Sequence, residues 1–347
     1  MSLSKKSSNF FGTRSKGARS RAIEARRASD SHLDLPGRLA AARVACNRIE
    51  EHAMARTKMM SDIEGLSRMV PPLSRRGFMS TSAAAAAGYT LAAGPVCADP
   101  IVTDSTGLQT SDATVPVTGG AMPVYAARPA GVAKPPIILV CMEIFGLQAY
   151  IKDVARRLAK LGALAVAPDY YFRMGDLTKV AEMGKLMPLV NGKADTELFA
   201  DLDATLAFAE AQGGDPARVG IIGFCRGGRS VWLYSTHNPH LKAGVAFYGS
   251  LMDPHSAAMP QNAFDLAGEV KEPVLGLYGA EDPGITPDQV EKMKEKLRAA
   301  GKTAEFHIYP GAAHAFHADY RASYRKEAAE QGWAEMQRWF KTYGVLS

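Results

Sequence analysis

The chain has 347 residues, 47% hydrophobic and 22% charged, ordinary proportions for two average globular domains or one large α/β domain with extra segments. Its net charge of +6 is uneven: residues 1–98 hold 16 Lys and Arg against 7 Asp and Glu, while residues 99–347 hold 25 against 28, so the basic character belongs to the leader and gives no reason to expect nucleic acid. The four cysteines, Cys46, Cys97, Cys141 and Cys225, show neither C-x-x-C nor a His/Cys zinc spacing, which excludes a disulfide framework and leaves no expected metal site.

Residues 1–73 are rich in Arg, Lys, Ser and Ala, with one short helical pattern near residues 37–54, and read as a disordered or untranslated leader. Residues 74–98 then carry Ser74-Arg75-Arg76-Gly77-Phe78-Met79, an Ala-rich run and Val96-Cys97-Ala98. Two arginines, a weakly apolar stretch and a small-residue cleavage site resemble a twin-arginine export signal. The run is too short and too rich in Ala and Gly for a stable membrane span, which needs about 20 apolar residues. On that reading translation starts at Met60 or Met69, the twin-arginine translocase is a partner during export, and cleavage near Ala98 delivers a periplasmic or exported domain of residues 99–347. If Arg75-Arg76 is a chance pair before a linker, the protein is cytoplasmic.

Within residues 99–347, the loosely alternating stretch Val115 to Pro129 around Gly119-Gly120 predicts an antiparallel hairpin. The apolar run Ile137 to Val140 predicts a strand buried on both faces, ending at Cys141-Met142-Glu143-Ile144-Phe145-Gly146. A helix carrying Ile151, Val154, Leu158 and Leu161 follows, then a buried strand from Leu164 to Ala167. Residues 169–192 are polar and Met-rich, a loop with a short helix over a site, and residues 195–212 are helical. Val219 to Gly228, VGIIGFCRGG, runs from a buried strand through a tight turn into a helix. Further strands are expected at residues 243–248, 274–278 and 304–308, with helices at 287–300 and 320–343. Strands alternating with helices after an antiparallel start predict a mostly parallel, doubly wound sheet with helices on both faces, and active sites of such sheets lie at the carboxyl ends of the strands.

Three candidate residues follow strands in the chain order nucleophile, acid, histidine: Cys225, Asp282 and His314. Gly223 and Gly227 flank Cys225 where strand and helix nearly touch, the arrangement of a nucleophile elbow with cysteine in the serine position. A thiol attacks as thiolate, so a histidine in reach must take its proton, and a carboxylate must fix that histidine's tautomer. Glu143, directly after a buried strand, is placed to hydrogen-bond the resting thiol and hold it protonated, with the N–H groups of Ile144 and Arg226 supplying an oxyanion hole. His237, His240 and His255 fall in polar segments, His307 inside a strand, and His317 reads as a rim residue.

GFCRGG, Glu143-Ile144-Phe145-Gly146, Gly279-Ala280-Glu281-Asp282 and Gly311-Ala312-Ala313-His314-Ala315-Phe316 together resemble the dienelactone hydrolase family of α/β hydrolases over about residues 115–343. The resemblance implies an α/β-hydrolase fold, a Cys225, Asp282 and His314 triad with Glu143 on the thiol until substrate binds, no metal or organic cofactor, and hydrolysis of an enol lactone such as 4-carboxymethylenebutenolide. It also implies an arginine four residues after the triad histidine, for the substrate carboxylate, where this chain has Ala318; Arg321 and Arg173 are the candidate substitutes. The expectation is therefore a monomeric or weakly oligomeric thiol hydrolase of a small ester or lactone. Its alternatives are a carboxylesterase or thioesterase of other acyl specificity and a non-catalytic binding protein on the same scaffold. A Cys141–Cys225 disulfide is the redox alternative, although Cys141 is expected to point away from the site.

Overall fold

The computed structural model describes residues 100–347; the leader, its helical pattern near residues 37–54 and the signal-like segment at residues 74–98 lie outside the described residues. Eight strands form one sheet: β1 (Leu108–Val117), β2 (Gly120–Pro129), β3 (Pro136–Cys141), β4 (Leu164–Pro168), β5 (Asp215–Phe224), β6 (Leu241–Phe247), β7 (Val274–Gly279) and β8 (Ala304–Tyr309). Their spatial order is β1-β2-β4-β3-β5-β6-β7-β8. The β1–β2 hairpin joins β4 antiparallel, and every pairing from β4 to β8 is parallel.

The central strands are apolar because both of their faces are covered. Every residue of β3, β4 and β7 is buried, and successive side chains of a strand point to opposite faces. Among the described residues six α-helices accompany the sheet: α1 (Ala149–Lys160), α2 (Met183–Asn191), α3 (Asp195–Ala211), α4 (Arg226–His237), α5 (Pro287–Ala299) and α6 (Lys326–Thr342). Glycines show how closely they pack. A Cβ on Gly220 would lie 2.9 Å from Val345 and 3.0 Å from Phe340 of α6, while one on Gly244 would lie 2.8 Å from Val231 of α4. Gly244 is level with Ile221, one residue beyond Gly220, so these contacts fall on opposite faces of the sheet. α4 and the C-terminal segment therefore sandwich β5 and β6.

Several boundaries differ from the sequence reading, among them the start of β5 at Asp215 rather than Val219, and two need explanation. The first hairpin strand begins at Leu108 rather than Val115, because residues 108–114 pair along β2 while exposing most of their side chains, so their pattern carries no burial signal. The last helix begins at Lys326 rather than Tyr320. Residues 315–325 form successive turns instead, with the amides of Ala318, Arg321 and Tyr324 each donating to the carbonyl three residues earlier.

From β3 the chain moves to β4 on one side and then crosses to β5 on the other. A reversal of this kind opens a crevice at the carboxyl ends of the two adjoining strands. The residues leaving β3 and β5 there include Glu143 and Cys225.

Candidate active site

Cys225 caps α4 with φ 58° and ψ −117°, a left-handed conformation that is costly for a side chain bearing a Cβ. The turn is enforced by backbone contact on both sides. A Cβ at Gly223 would lie 2.1 Å from the Gly227 carbonyl oxygen, and one at Gly227 would lie 2.2 Å from the Cys141 carbonyl oxygen. The Cys225 amide donates to Phe247 O at 3.0 Å, anchoring the apex to β6. Two further non-glycine residues have positive φ, Tyr248 (38°) and Ala315 (61°). Tyr248 follows β6 and Ala315 follows His314, so backbone strain among the described residues concentrates around one crevice.

The structure brings Asp282, His314 and Cys225 together as a hydrogen-bonded series. Asp282 Oδ2 and His314 Nδ1 are 2.6 Å apart, and Asp282 Oδ1 accepts from the amides of Gly284 (2.9 Å) and Ile285 (3.1 Å). With both carboxylate oxygens used and only 3% of the residue exposed, the acid is fixed in position. The loops bearing Asp282 and His314 meet because Glu281 N donates to Ala312 O, and a Cβ on Gly279 would sit 2.3 Å from that same oxygen. His314 also hydrogen-bonds the Cys225 side chain. Burial alone draws the imidazole down, but the adjacent Cys225 sulfur and the Asp282 carboxylate outweigh it and push His314 up to about 10. The imidazole thus favours its protonated form beside the sulfur.

Glu143 is completely buried, yet it faces Tyr320 and Gln148 rather than the thiol. Its Oε2 accepts from the Tyr320 hydroxyl at 2.6 Å and from Gln148 Nε2 at 3.2 Å. The expected resting Glu143–thiol bond is thus replaced, because the turn at residues 315–325 delivers a phenol that is a stronger donor than S–H. Arg321, 4% exposed, donates from Nε to the same hydroxyl at 3.1 Å and lays its guanidinium 4.6 Å from the Phe145 ring centroid. Its Nη1 has no hydrogen-bond partner. Burial opposes its charge, but Glu143, Tyr320 and Cys225 raise its pKa above the ordinary arginine value.

Ile144 and Arg226 lie just beyond the carboxyl ends of the neighbouring strands β3 and β5, one residue after Glu143 and Cys225 respectively. The Arg226 side chain reaches Met259 and Asn191 and lies 3.8 Å from Asp253, so it pins α2 and the loop after β6 beside the elbow.

Arg173 is not brought to this crevice, which corrects the sequence reading. Its guanidinium is committed to Asp201 (2.8 and 2.9 Å), Glu197 (3.0 Å) and the Thr118 carbonyl (2.8 Å), binding the hairpin turn to α3. His317 is likewise no rim residue. It is 3% exposed, stacked near Trp333 and bonded through Nδ1 to the Tyr150 hydroxyl at 2.7 Å. Burial, reinforced by the positive charge of Arg157, lowers it to about 3. Cys141 and Cys225 are both free cysteines, and burial pushes the Cys141 thiol far up.

Tyr171 and Tyr248 are site residues that the sequence reading missed. Both phenols feel the Cys225 sulfur, and the Tyr248 ring meets His314 edge-on at 5.2 Å. Their signal was position, since Tyr171 follows the end of β4 by three residues and Tyr248 follows β6 directly. Glu305 and His307 of the edge strand β8 and Glu335 of α6 have ligand atoms within 4.8 Å of one another, but Arg338 already pairs with both carboxylates.

The family model described as "Dienelactone hydrolase family" matches residues 122–344. A protein of Methylorubrum extorquens named "Putative carboxymethylenebutenolidase" is 49% identical over 83% of this chain and 99% of its own length. One of the same name from Escherichia coli is 44% identical over 74% of this chain and 96% of its own. Among solved structures, the "Putative Dienelactone Hydrolase" of Klebsiella pneumoniae superposes with a TM-score of 0.67 at 47% identity, covering 68% of this chain and 99% of that one. A family match over most of the described domain, resting on the same sheet and elbow, means that this chain belongs to the dienelactone hydrolase family.

Proposed function

We propose that the protein hydrolyses an enol lactone or activated carboxylic ester through Cys225, in the manner of a carboxymethylenebutenolidase. The observation that carries this reading is the buried series Asp282–His314–Cys225 on a strained elbow at the crevice of the sheet. His314 takes the thiol proton, and the sulfur attacks the substrate carbonyl carbon. The oxyanion is received by the Ile144 and Arg226 amides. As the intermediate collapses, His314 returns the proton to the leaving enolate oxygen and a thioester forms on Cys225. His314 then draws a proton from water, whose oxygen attacks the thioester; the sulfur leaves and the carboxylic acid is released. Asp282 holds the tautomer and stabilises the imidazolium throughout. An enolate leaves readily, which suits a sulfur nucleophile better than an alkyl ester or amide does.

A second reading is favoured by one observation. Ala318 stands where the family resemblance implies an arginine, and Arg173 is committed elsewhere, so Arg321 alone of the named candidates remains to meet a substrate carboxylate. A site with one such arginine suits a less charged ester, which would make the protein a carboxylesterase or thioesterase of other acyl specificity. The test compares wild type and Cys225→Ala on 4-carboxymethylenebutenolide and on p-nitrophenyl acetate. Lactone turnover that dominates, and falls at least about a thousandfold in Cys225→Ala, is expected. Ester turnover without lactone turnover selects the second reading, and hydrolysis undiminished by Cys225→Ala overturns both. The export reading of residues 74–98 is a separate part of the proposal, tested by fractionating cells and sequencing the mature N-terminus, expected at Asp99.

A further inference from the structure

Glu143 and Cys225 leave the sheet side by side. Cys141 is paired with Gly223, and each residue lies two positions beyond its partner in that pair, on strands spaced about 4.8 Å apart. With its rotatable side chain, Glu143 can reach the sulfur from that position. Its hydrogen bonds go elsewhere: Oε2 is taken by Tyr320 and Gln148, and Oε1 has no hydrogen-bond partner. The Tyr320 hydroxyl donates to Glu143 and accepts from both Gln148 Nε2 (2.8 Å) and Arg321 Nε (3.1 Å), which uses its full hydrogen-bonding capacity. The phenol is therefore fixed, and with it Oε2 of the carboxylate.

We infer that Tyr320 is a positioning residue for the nucleophile: together with Gln148 it holds the Glu143 carboxylate off Cys225, so that the sulfur rests against His314 and is armed before substrate arrives. This rests on the reading of Cys225 as nucleophile and adds a residue, Tyr320, to its control.

The charge balance around the sulfur supports the assignment. The groups that face it are His314 from the loop after β8, Arg321 from the turn before α6, and the phenols Tyr171 and Tyr248 after β4 and β6, while Glu143 at the end of β3 is bonded to Tyr320. Burial pushes Tyr171 up to about 12 and Tyr248 higher still, so both stay neutral through the working range. His314 and Arg321 favour the thiolate, and Asp282 acts through His314. Glu143 is the remaining acidic side chain there, and a carboxylate brought against a thiol opposes formation of the thiolate.

The test is the rate of alkylation by iodoacetamide, in which the Cys225 sulfur forms the S–C bond and iodide leaves, followed by peptide mass spectrometry so that only Cys225 is counted. Tyr320→Phe removes the hydroxyl and keeps the ring. It is expected to slow alkylation at pH 7 about tenfold and to move the pH–rate profile up by about one unit, because the released carboxylate turns to the thiol. The double variant Tyr320→Phe/Glu143→Gln is expected to restore the wild-type rate, a rescue that general loosening of the fold would not produce. Alkylation of Tyr320→Phe within twofold of wild type overturns the inference, as does a loss that Glu143→Gln fails to restore. Failure of the nucleophile reading looks different, since Cys225→Ala would then keep its hydrolytic activity whatever the alkylation profile.

Discussion

His317 shows how much one side chain can tie stability to pH without touching substrate. It sits among Tyr150, Phe224, Phe247 and Trp333, with Arg157 adding positive charge, and stays neutral in the folded protein down to about pH 3. In the unfolded chain it titrates near 6.5. Its folded value is depressed, so above 6.5 neither state binds the proton and the full contribution is present. Between 6.5 and 3 only the unfolded state takes up the proton, and stability falls as the pH falls. At pH 5 the difference amounts to about 2 kcal/mol. Denaturant unfolding at pH 7.5 and pH 5 should therefore show wild type losing about 2 kcal/mol more than His317→Gln, which can still accept the Tyr150 hydrogen bond but does not titrate; equal losses in the two proteins would refute the assignment. The histidine looked like a rim residue because it lies three positions beyond His314 in a loop, and loop residues are exposed by default. What buries it is α6 folding back over the loop, a long-range event with no trace in the local sequence.

At the scale of the element, the elbow was legible because its glycines are spaced as a strand, a tight turn and a helix in close approach require. Gly223 and Gly227 approach backbone atoms so closely that no side chain fits; the Gly223 constraint is local to VGIIGFCRGG, while that on Gly227 comes from Cys141 and Met142 at the end of β3. Asp282 and His314 were legible for a related reason: each follows a buried apolar strand, and the sheet carries every such strand end to the same edge. Tyr171 and Tyr248 also follow strands, but tyrosine is so often a core residue that its place there said little. Tyr320 and Arg173 were not legible. Tyr320 reaches Glu143 only because residues 315–325 are turns rather than the first coils of a helix, and Arg173 was drawn away by Asp201 and Glu197 on α3. Glycine substitutions test the distinction. Gly223→Ala should cost about 3–5 kcal/mol in urea unfolding, since its Cβ would lie 2.1 Å from the Gly227 carbonyl oxygen and backbone cannot yield cheaply. Gly184→Ala in α2 has no heavy atom within 4 Å of its new Cβ and an ordinary φ, and should stabilise by about 0.5–1 kcal/mol. Similar effects at the two positions would mean that the elbow is looser than its contacts imply.

On the scale of the whole molecule, the two ends of the described chain contribute differently. At the N-terminal end the segment before β1 is tied down by a few polar contacts: Thr103 donates from its amide (2.7 Å) and hydroxyl (3.1 Å) to Asp153 on α1, which Arg156 and Arg157 also neutralise. The sheet and every residue of the crevice lie beyond it in the chain. At the C-terminal end, Val345 and Leu346 are buried, and Val345 packs with Phe340 against Gly220 at the middle of the sheet. Among the described residues no helix is long and apolar enough to cross a membrane. A chain shortened to residues 99–347 is therefore expected to keep its thermal midpoint within about 2 °C and its kcat/KM within about twofold, measured by calorimetry and ester hydrolysis. Removal of residues 343–347 should instead cost about 3–5 kcal/mol, because two large apolar side chains leave the core and open a groove over β5. That loss should fall on stability first and on the chemistry little at moderate temperature, because the crevice lies at the carboxyl ends of the strands while Gly220 sits four residues short of the end of β5. A C-terminal deletion that lost activity while keeping its midpoint would show instead that the tail reaches the site.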